Sequence, residues 1–214
     1  MRIAVITGGP VFAEASDLVR ECDKVICADS GLDYCMRFGI RPDLVIGDLD
    51  SVSPEGLRFI ETSQIPVHRF PSHKDMTDTD IALQECDKGS EVLLICSFGG
   101  RIDHALTNMG LLIKYKKSGM DITATDGVTD IIPLVGEEKI TLGGIGPGVY
   151  VSLIPFASEK VTGVTTENLI YPLNDAVIEA ESSLYVSNEP VEGAENVSVS
   201  IRSGQMLLVI SPSL

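Results

Sequence analysis

The 214-residue chain is short of basic side chains, with 16 Lys and Arg against 31 Asp and Glu, a formal net charge of −15. That deficit argues against a protein that neutralises a nucleic-acid backbone, which needs a basic face. It also disfavours an anionic membrane surface as the partner. No run approaches the ~20 apolar residues that span a bilayer. The opening Met1-Arg2-Ile3-Ala4-Val5-Ile6-Thr7 lacks the long apolar stretch and small-residue cleavage site of a signal peptide. The five cysteines (Cys22, Cys27, Cys35, Cys86 and Cys96) are odd in number and lack metal-ligand spacing. They read as small buried hydrophobes in a reducing cytosol. Also missing are a G-x-x-x-x-G-K-[S/T] loop and a nucleophilic-serine elbow, and Gly8-Gly9-Pro10 does not complete a dinucleotide fingerprint. The expectation is a cytoplasmic protein with no nucleic-acid and no membrane partner.

What is present is an ordinary globular composition, 44% apolar and 22% charged, long enough for one large domain or two small ones. Short apolar runs at Ile3 to Thr7, Val25 to Ala28, Leu44 to Ile46 and Val92 to Cys96 alternate with amphipathic segments such as Thr79 to Lys88 and Ala105 to Lys117. In the last of these, Leu106, Met109, Leu112 and Ile113 recur at helical spacing, and Lys114, Lys116 and Lys117 suit a helix C-terminus. This grammar predicts an α/β domain with a mostly parallel sheet over residues 1–125. Residues 126–214 read differently, as short β-rich runs separated by Gly, Pro, Asn and Ser: Ile131 to Val135, Lys139 to Leu142, Val149 to Phe156, Glu159 to Thr165, Ala176 to Glu179, Val197 to Ile201 and Met206 to Ile210. An all-β sandwich or barrel is predicted there. The first 125 residues carry 13 basic and 19 acidic side chains, the rest 3 and 12, and every His and Cys lies in the first part.

In an open α/β sheet, ligands bind beyond the carboxyl ends of the strands. Four carboxylate-bearing segments fall at such ends: Ala28-Asp29-Ser30-Gly31, Gly47-Asp48-Leu49-Asp50-Ser51, Lys74-Asp75-Met76-Thr77-Asp78-Thr79-Asp80 and Gly99-Gly100-Arg101-Ile102-Asp103-His104. Asp48 and Asp50 can point to one site if Leu49 turns back into the core, and such a set of hard oxygens suits Mg²⁺. The same residues also read as a turn, with Asp50 or Ser51 capping a helix that starts near Pro54. Thr77 or Asp78 can cap the helix that follows. Lys74 can hold a phosphate or form a surface pair. Gly99-Gly100-Arg101 offers backbone N–H groups and a forked donor to phosphate, or is an ordinary tight turn with Arg101 in solvent. His104 is a helix-start residue or a catalytic one. Together the four segments describe metal-assisted transfer of a phosphoryl-type group.

With these segments in order, and with Pro42-Asp43, Ser152-Leu153-Ile154-Pro155, Tyr171-Pro172-Leu173 and Ser187-Asn188-Glu189, the chain resembles the thiamine pyrophosphokinase family over essentially its whole length. The resemblance implies an N-terminal α/β catalytic, Mg-ATP-binding domain, a C-terminal β-sandwich for thiamine binding and dimerisation, and a homodimer. It implies transfer of the β,γ-pyrophosphoryl group of ATP to the hydroxyethyl oxygen of thiamine, giving thiamine diphosphate and AMP with Mg²⁺. Asp29, Asp48, Asp50 and Asp78 would surround the metal, and Lys74, Arg101 and Ser51 would bind phosphate oxygens. Gly99, Gly100, Asp103 and Asn108 would hold the nucleotide or the Gly-rich turn, and Asp48 or Asp78 would accept the alcohol proton. Tyr171, Pro172, Ser187 and Asn188 would meet thiamine, facing the partner subunit's α/β domain, although Tyr171 also reads as a sandwich-core residue. Asn168-Leu169-Ile170 departs from the Gly-Leu-Lys of many relatives. The competing expectations are a Mg-dependent pyrophosphokinase or kinase of another small heterocyclic alcohol, and a non-catalytic nucleotide-binding regulator.

Overall fold

A computed structural model describes residues 1–12, 14–71 and 75–213. The chain divides into two compact units, Met1–Leu111 with Ser118–Val128, and Leu112–Lys117 with Thr129–Leu214. Among the described residues no helix is long and apolar enough to cross a membrane.

The first unit contains β1 (Arg2–Ile6), α1 (Ala15–Arg20), β2 (Lys24–Ala28), α2 (Gly31–Arg37), β3 (Leu44–Gly47), α3 (Pro54–Ser63) and β4 (Val67–Arg69), then α4 (Asp78–Gln84), β5 (Glu91–Ile95), most of α5 (Ile102–Lys117) and β6 (Asp121–Thr125). Its sheet runs β4-β3-β2-β1-β5-β6, and every neighbouring pair is parallel. Strands buried on both faces need unbroken apolar runs. Ile3 to Ile6, Ile26 to Ala28 and Val92 to Ile95 supply them, nearly all fully buried. The chain steps outward from β1 to β4, then returns to pair β5 against the other side of β1. That reversal opens a crevice beyond the carboxyl ends of β1 and β5, where open α/β sheets bind ligands.

Helix starts follow local chemistry. Ser53 caps α3, its Oγ accepting from Gly56 N–H at 3.0 Å, with Pro54 in the first turn. The alternative that Asp50 or Ser51 caps this helix is thereby corrected, because the chain needs two more residues to leave the Asp-rich turn. Thr77 caps α4, accepting from Asp80 N–H at 3.2 Å. α4 stops at Gln84 rather than Lys88, and α5 begins at Ile102, ahead of the first residue its periodicity suggested. Leu106, expected on the core face of α5, is 55% exposed, and Ile102 one turn earlier is exposed too. Four of the five cysteines are buried and the fifth is half-buried, all as free thiols. Burial pushes the Cys96 thiol up to about 12 and Cys86 to about 11, as small apolar core residues behave.

The second unit is antiparallel. It contains β7 (Asp130–Val135), β8 (Glu138–Gly143), β9 (Val149–Pro155), β10 (Lys160–Glu167), β11 (Ala176–Glu179), β12 (Asn196–Ile201) and β13 (Gln205–Pro212). β13 pairs with β7 and β9, and a separate sheet runs β11-β10-β12-β8. Inward residues of both sheets, among them Leu134, Val151, Val161, Ile178, Val199 and Leu208, share one buried core, which is the sandwich arrangement. A register shift in β10 falls at Gly163, with φ +68. There a Cβ would lie 2.5 Å from Arg202 Cβ, so only glycine lets the bulge close.

Candidate active site

The crevice beyond β1 and β5 is a cleft of about 320 Å³. Its walls are the turns after β1, β2 and β5 and the starts of α4 and α5, so residues far apart in sequence meet there: Asp29, Ser51, Asp78, Gly99, Gly100, Arg101 and Asn108 all line it.

The carboxylates gather on the β2 and β3 side. Asp29 follows β2 with φ +48, a left-handed conformation that aspartate tolerates better than most residues. After β3, Leu49 is 6% exposed and turned into the core, which sends Asp48 and Asp50 the other way. Leu49 holds φ +68 to do so, a strain of about 1–3 kcal/mol that such sites concentrate. Ligand oxygens of Asp29, Asp48 and Asp50 lie within 4.8 Å of one another. Asp29 Oδ1 is buried with no hydrogen-bond partner. Burial raises the Asp29 carboxyl above its usual range, opposed by the Ser51 hydroxyl and reinforced by the negative charges of Asp78 and Asp48. Asp78 sits beside this triad. A Cβ on Gly47, at φ +147, would lie 3.2 Å from Asp78 Oδ1 and 3.3 Å from Asp29 Cβ, so glycine lets the two acids converge over the end of β3.

Ser51, expected on a phosphate, lines the cleft with its Oγ 2.5 Å from Asp29 Oδ2 and 3.0 Å from Asp50 Oδ1. Asp43 is structural, its Oδ2 accepting from Val25 N–H at 2.8 Å. Lys74 lies outside the described residues.

The opposite wall is the β5–α5 turn. Gly99 and Gly100 have φ +86 and +62, and a Cβ on Gly99 would meet Pro10 Cγ at 2.7 Å. Asn108 is buried and donates from Nδ2 to the Ser97 carbonyl at 2.7 Å, tying the turn to α5. Arg101 is exposed, and its Nε and Nη2 donate to Asp103 Oδ1 and Oδ2 at 3.2 and 2.5 Å. That pairing lowers the Asp103 carboxyl to about 2. His104 is exposed and lines the cleft. The sequence reading missed Thr7, Gly8, Gly9, Ser30 and Ser97 as cleft residues. Ser97 is 3% exposed, and its Oγ has no hydrogen-bond partner. Gly8-Gly9 after a central strand was the available signal.

In the second unit, Tyr171 is 74% exposed, which removes the sandwich-core alternative. Pro172 and Ser187 are exposed and Asn188 is half-buried. Asn188 accepts from Tyr171 N–H at 3.1 Å and donates to the Tyr171 carbonyl at 2.8 Å, while Ser187 N–H donates to Ser152 Oγ at 2.9 Å. The four residues expected on the thiamine side are thus joined along two neighbouring segments.

Residues 15–124 match the family described as thiamin pyrophosphokinase, catalytic domain, and residues 139–206 match thiamin pyrophosphokinase, vitamin B1 binding domain. The thiamine pyrophosphokinase of Bacillus subtilis (strain 168) is 30% identical over 211 residues, 94% of this chain and 98% of its own. The crystal structure of thiamine pyrophosphokinase from Bacillus subtilis covers all of both chains with a TM-score of 0.87 at 28% identity. That of thiamin pyrophosphokinase from Geobacillus thermodenitrificans covers 100% of this chain and 98% of its own, with a TM-score of 0.84 at 27% identity.

Proposed function

The chain belongs to the thiamine pyrophosphokinase family, and from that premise we propose that it transfers the β,γ-pyrophosphoryl group of ATP to the hydroxyethyl oxygen of thiamine. The alcohol oxygen bonds to the β-phosphorus, the bond from that phosphorus to the α,β-bridging oxygen breaks, and AMP leaves with the bridging oxygen. Thiamine diphosphate is the other product. The hydroxyl proton passes to Asp48 or Asp78.

The observation that carries this reading is the Asp29–Asp48–Asp50 triad beside a cleft walled by glycine turns. Its oxygens fit Mg²⁺: three carboxylates crowd together, and a buried Asp29 oxygen lacks a partner, which is unfavourable unless a cation is shared. When bound, Mg²⁺ supplies positive charge that offsets the triphosphate and the charge developing on it. Asp29, Asp48 and Asp50 would hold it, with Asp78 alongside. Gly99 and Gly100 bring backbone N–H groups to the phosphates, Arg101 and Lys74 neutralise them, and Asp103 and Asn108 keep Arg101 and the turn in place. Ser51 orders the acids. Positioning and charge do most of the work in such transfers.

Tyr171, Pro172 and the Ser187–Asn188 pair form the thiamine side, an exposed ring face being suited to a flat cationic heterocycle. Nucleotide chemistry falls to residues 1–125, and thiamine binding and dimerisation to residues 126–214. Exposed Ile170, Leu184 and Val186 are apolar surface of the kind a second copy covers, and sedimentation of the purified protein tests the dimer. The deciding experiment incubates protein, Mg²⁺, ATP and thiamine and measures both products. AMP and thiamine diphosphate should rise in equal amounts. ADP with thiamine monophosphate would overturn the assignment, and AMP release only with another alcohol would move the substrate.

A further inference from the structure

The Ser187–Asn188 pair looks like a pair of substrate contacts, but the Asn188 side chain is already engaged. Its Oδ1 accepts from two backbone N–H groups, Tyr171 at 3.1 Å and Glu189 at 2.9 Å, and its Nδ2 donates to the Tyr171 carbonyl at 2.8 Å. An amide side chain makes at most about four hydrogen bonds, and three are spent on backbone. The amide's orientation is fixed by those partners, since an exchanged nitrogen would face two donors and the oxygen a carbonyl.

Both backbone polar groups of Tyr171 therefore end on one side chain. Asn188 is itself anchored, pairing with Val151 of β9 through its own N–H at 3.1 Å and carbonyl at 2.7 Å. Ile170 N–H adds a bond to the Glu189 carbonyl at 2.8 Å. The Tyr171 ring is mostly in solvent, so packing does little to direct it. Its direction is inherited from backbone dihedrals, and Asn188 fixes that backbone to β9.

We infer that Asn188 is a positioning residue, clamping the Tyr171 backbone so that the ring is held ready for thiamine, and that it acts on thiamine through Tyr171 rather than by touching it. This rests on the assignment of Tyr171 to thiamine above. A ring fixed in advance loses less freedom on binding than one that must be ordered by the ligand.

The test is a double-mutant cycle on the full chain, using Asn188→Ala, Tyr171→Ala and the combined variant, with KM for thiamine, KM for ATP and kcat measured for each. Asn188→Ala should raise KM for thiamine about tenfold while KM for ATP stays at the parent value. Tyr171→Ala should raise it at least as much, and the combined variant should match Tyr171→Ala alone within about twofold. Asn188→Asp keeps an acceptor oxygen for the Tyr171 and Glu189 N–H groups but sets a charged oxygen against the Tyr171 carbonyl, so it too should raise KM for thiamine with KM for ATP unchanged; it serves if the alanine variant does not fold. Single effects that multiply in the combined variant would overturn the inference and leave Tyr171 assigned. If Tyr171→Ala leaves KM for thiamine unchanged, the Tyr171 assignment fails, and the inference fails with it.

Discussion

The cleft in the first unit and the Tyr171 region in the second are built on opposite electrostatic terms. Beside the cleft, ligand oxygens of three carboxylates crowd within 4.8 Å and a buried Asp29 oxygen has no partner. Around Tyr171, a neutral amide closes both backbone polar groups and is itself anchored to β9. One region is electrostatically incomplete as a bare protein, and the other is complete. Incomplete sites bind by relieving a cost already present in the fold, whereas complete ones bind by presenting a prearranged shape. The two halves should therefore answer to different perturbations.

The largest expected effect breaks the incomplete side. Asp48→Asn should lower kcat about 10²–10³-fold, while thermal melting of the metal-free protein stays level or rises, because one repelling charge has gone. Wild-type turnover in that variant would sink the metal assignment. A related measurement titrates Mg²⁺ against melting temperature. At about 100 times its Kd, the ion should stabilise the parent by about 2.7 kcal/mol. Asp48→Asn should lose most of that shift, and Tyr171→Ala should keep it. A shift that survives Asp48→Asn would mean the ion binds elsewhere.

Much of this contrast was legible in sequence, for reasons that also explain what was not. Asp48-Leu49-Asp50 reads as a site because an apolar residue between two acids forces them to one side, and Leu49 is indeed buried. The long apolar strands read clearly because burial on both faces leaves no room for polar residues. β4 was invisible, being three residues at a sheet edge with two of them exposed. α2 begins on Gly31, which reads as a turn, yet a Cβ there would meet the Ile6 carbonyl oxygen at 2.2 Å, so glycine answers to close packing rather than to helix propensity. Ser97 and Thr7 enter the cleft only because β1 and β5 are neighbours, which no local pattern records. Asn188 reads from sequence as a thiamine contact, and its bonds to Tyr171, 17 residues away, leave no trace in any local pattern.

A matched pair of glycine substitutions sharpens the comparison at intermediate size. Gly99→Ala and Gly163→Ala both force a side chain into left-handed backbone against a close neighbour, Pro10 in one case and Arg202 in the other. Each should cost about 1–2 kcal/mol of stability. Gly99→Ala should also raise KM for ATP severalfold, since the turn faces the cleft, whereas Gly163→Ala should leave it alone. Equal effects on KM for ATP would remove the distinction between the cleft-facing turn and an ordinary bulge.

The smallest effect concerns the Arg101–Asp103 pair on the cleft's glycine side. Arg101 lowers the Asp103 carboxyl to about 2 from an ordinary 3.8. A folded-state value below the unfolded one means the pairing contributes fully above about pH 4 and fades as pH falls toward 2. Both side chains are exposed, so solvent screening keeps the contribution to global stability slight, and a melting curve is the wrong instrument. An NMR titration of the Asp103 carboxyl carbon should give a midpoint near 2 in the parent, returning toward 3.8 in Arg101→Gln. A parent midpoint already at 3.8 would mean that Arg101 points elsewhere in solution. Asp103 would then not be holding the guanidinium, and the glycine side of the cleft would rest on the backbone N–H groups of its turn.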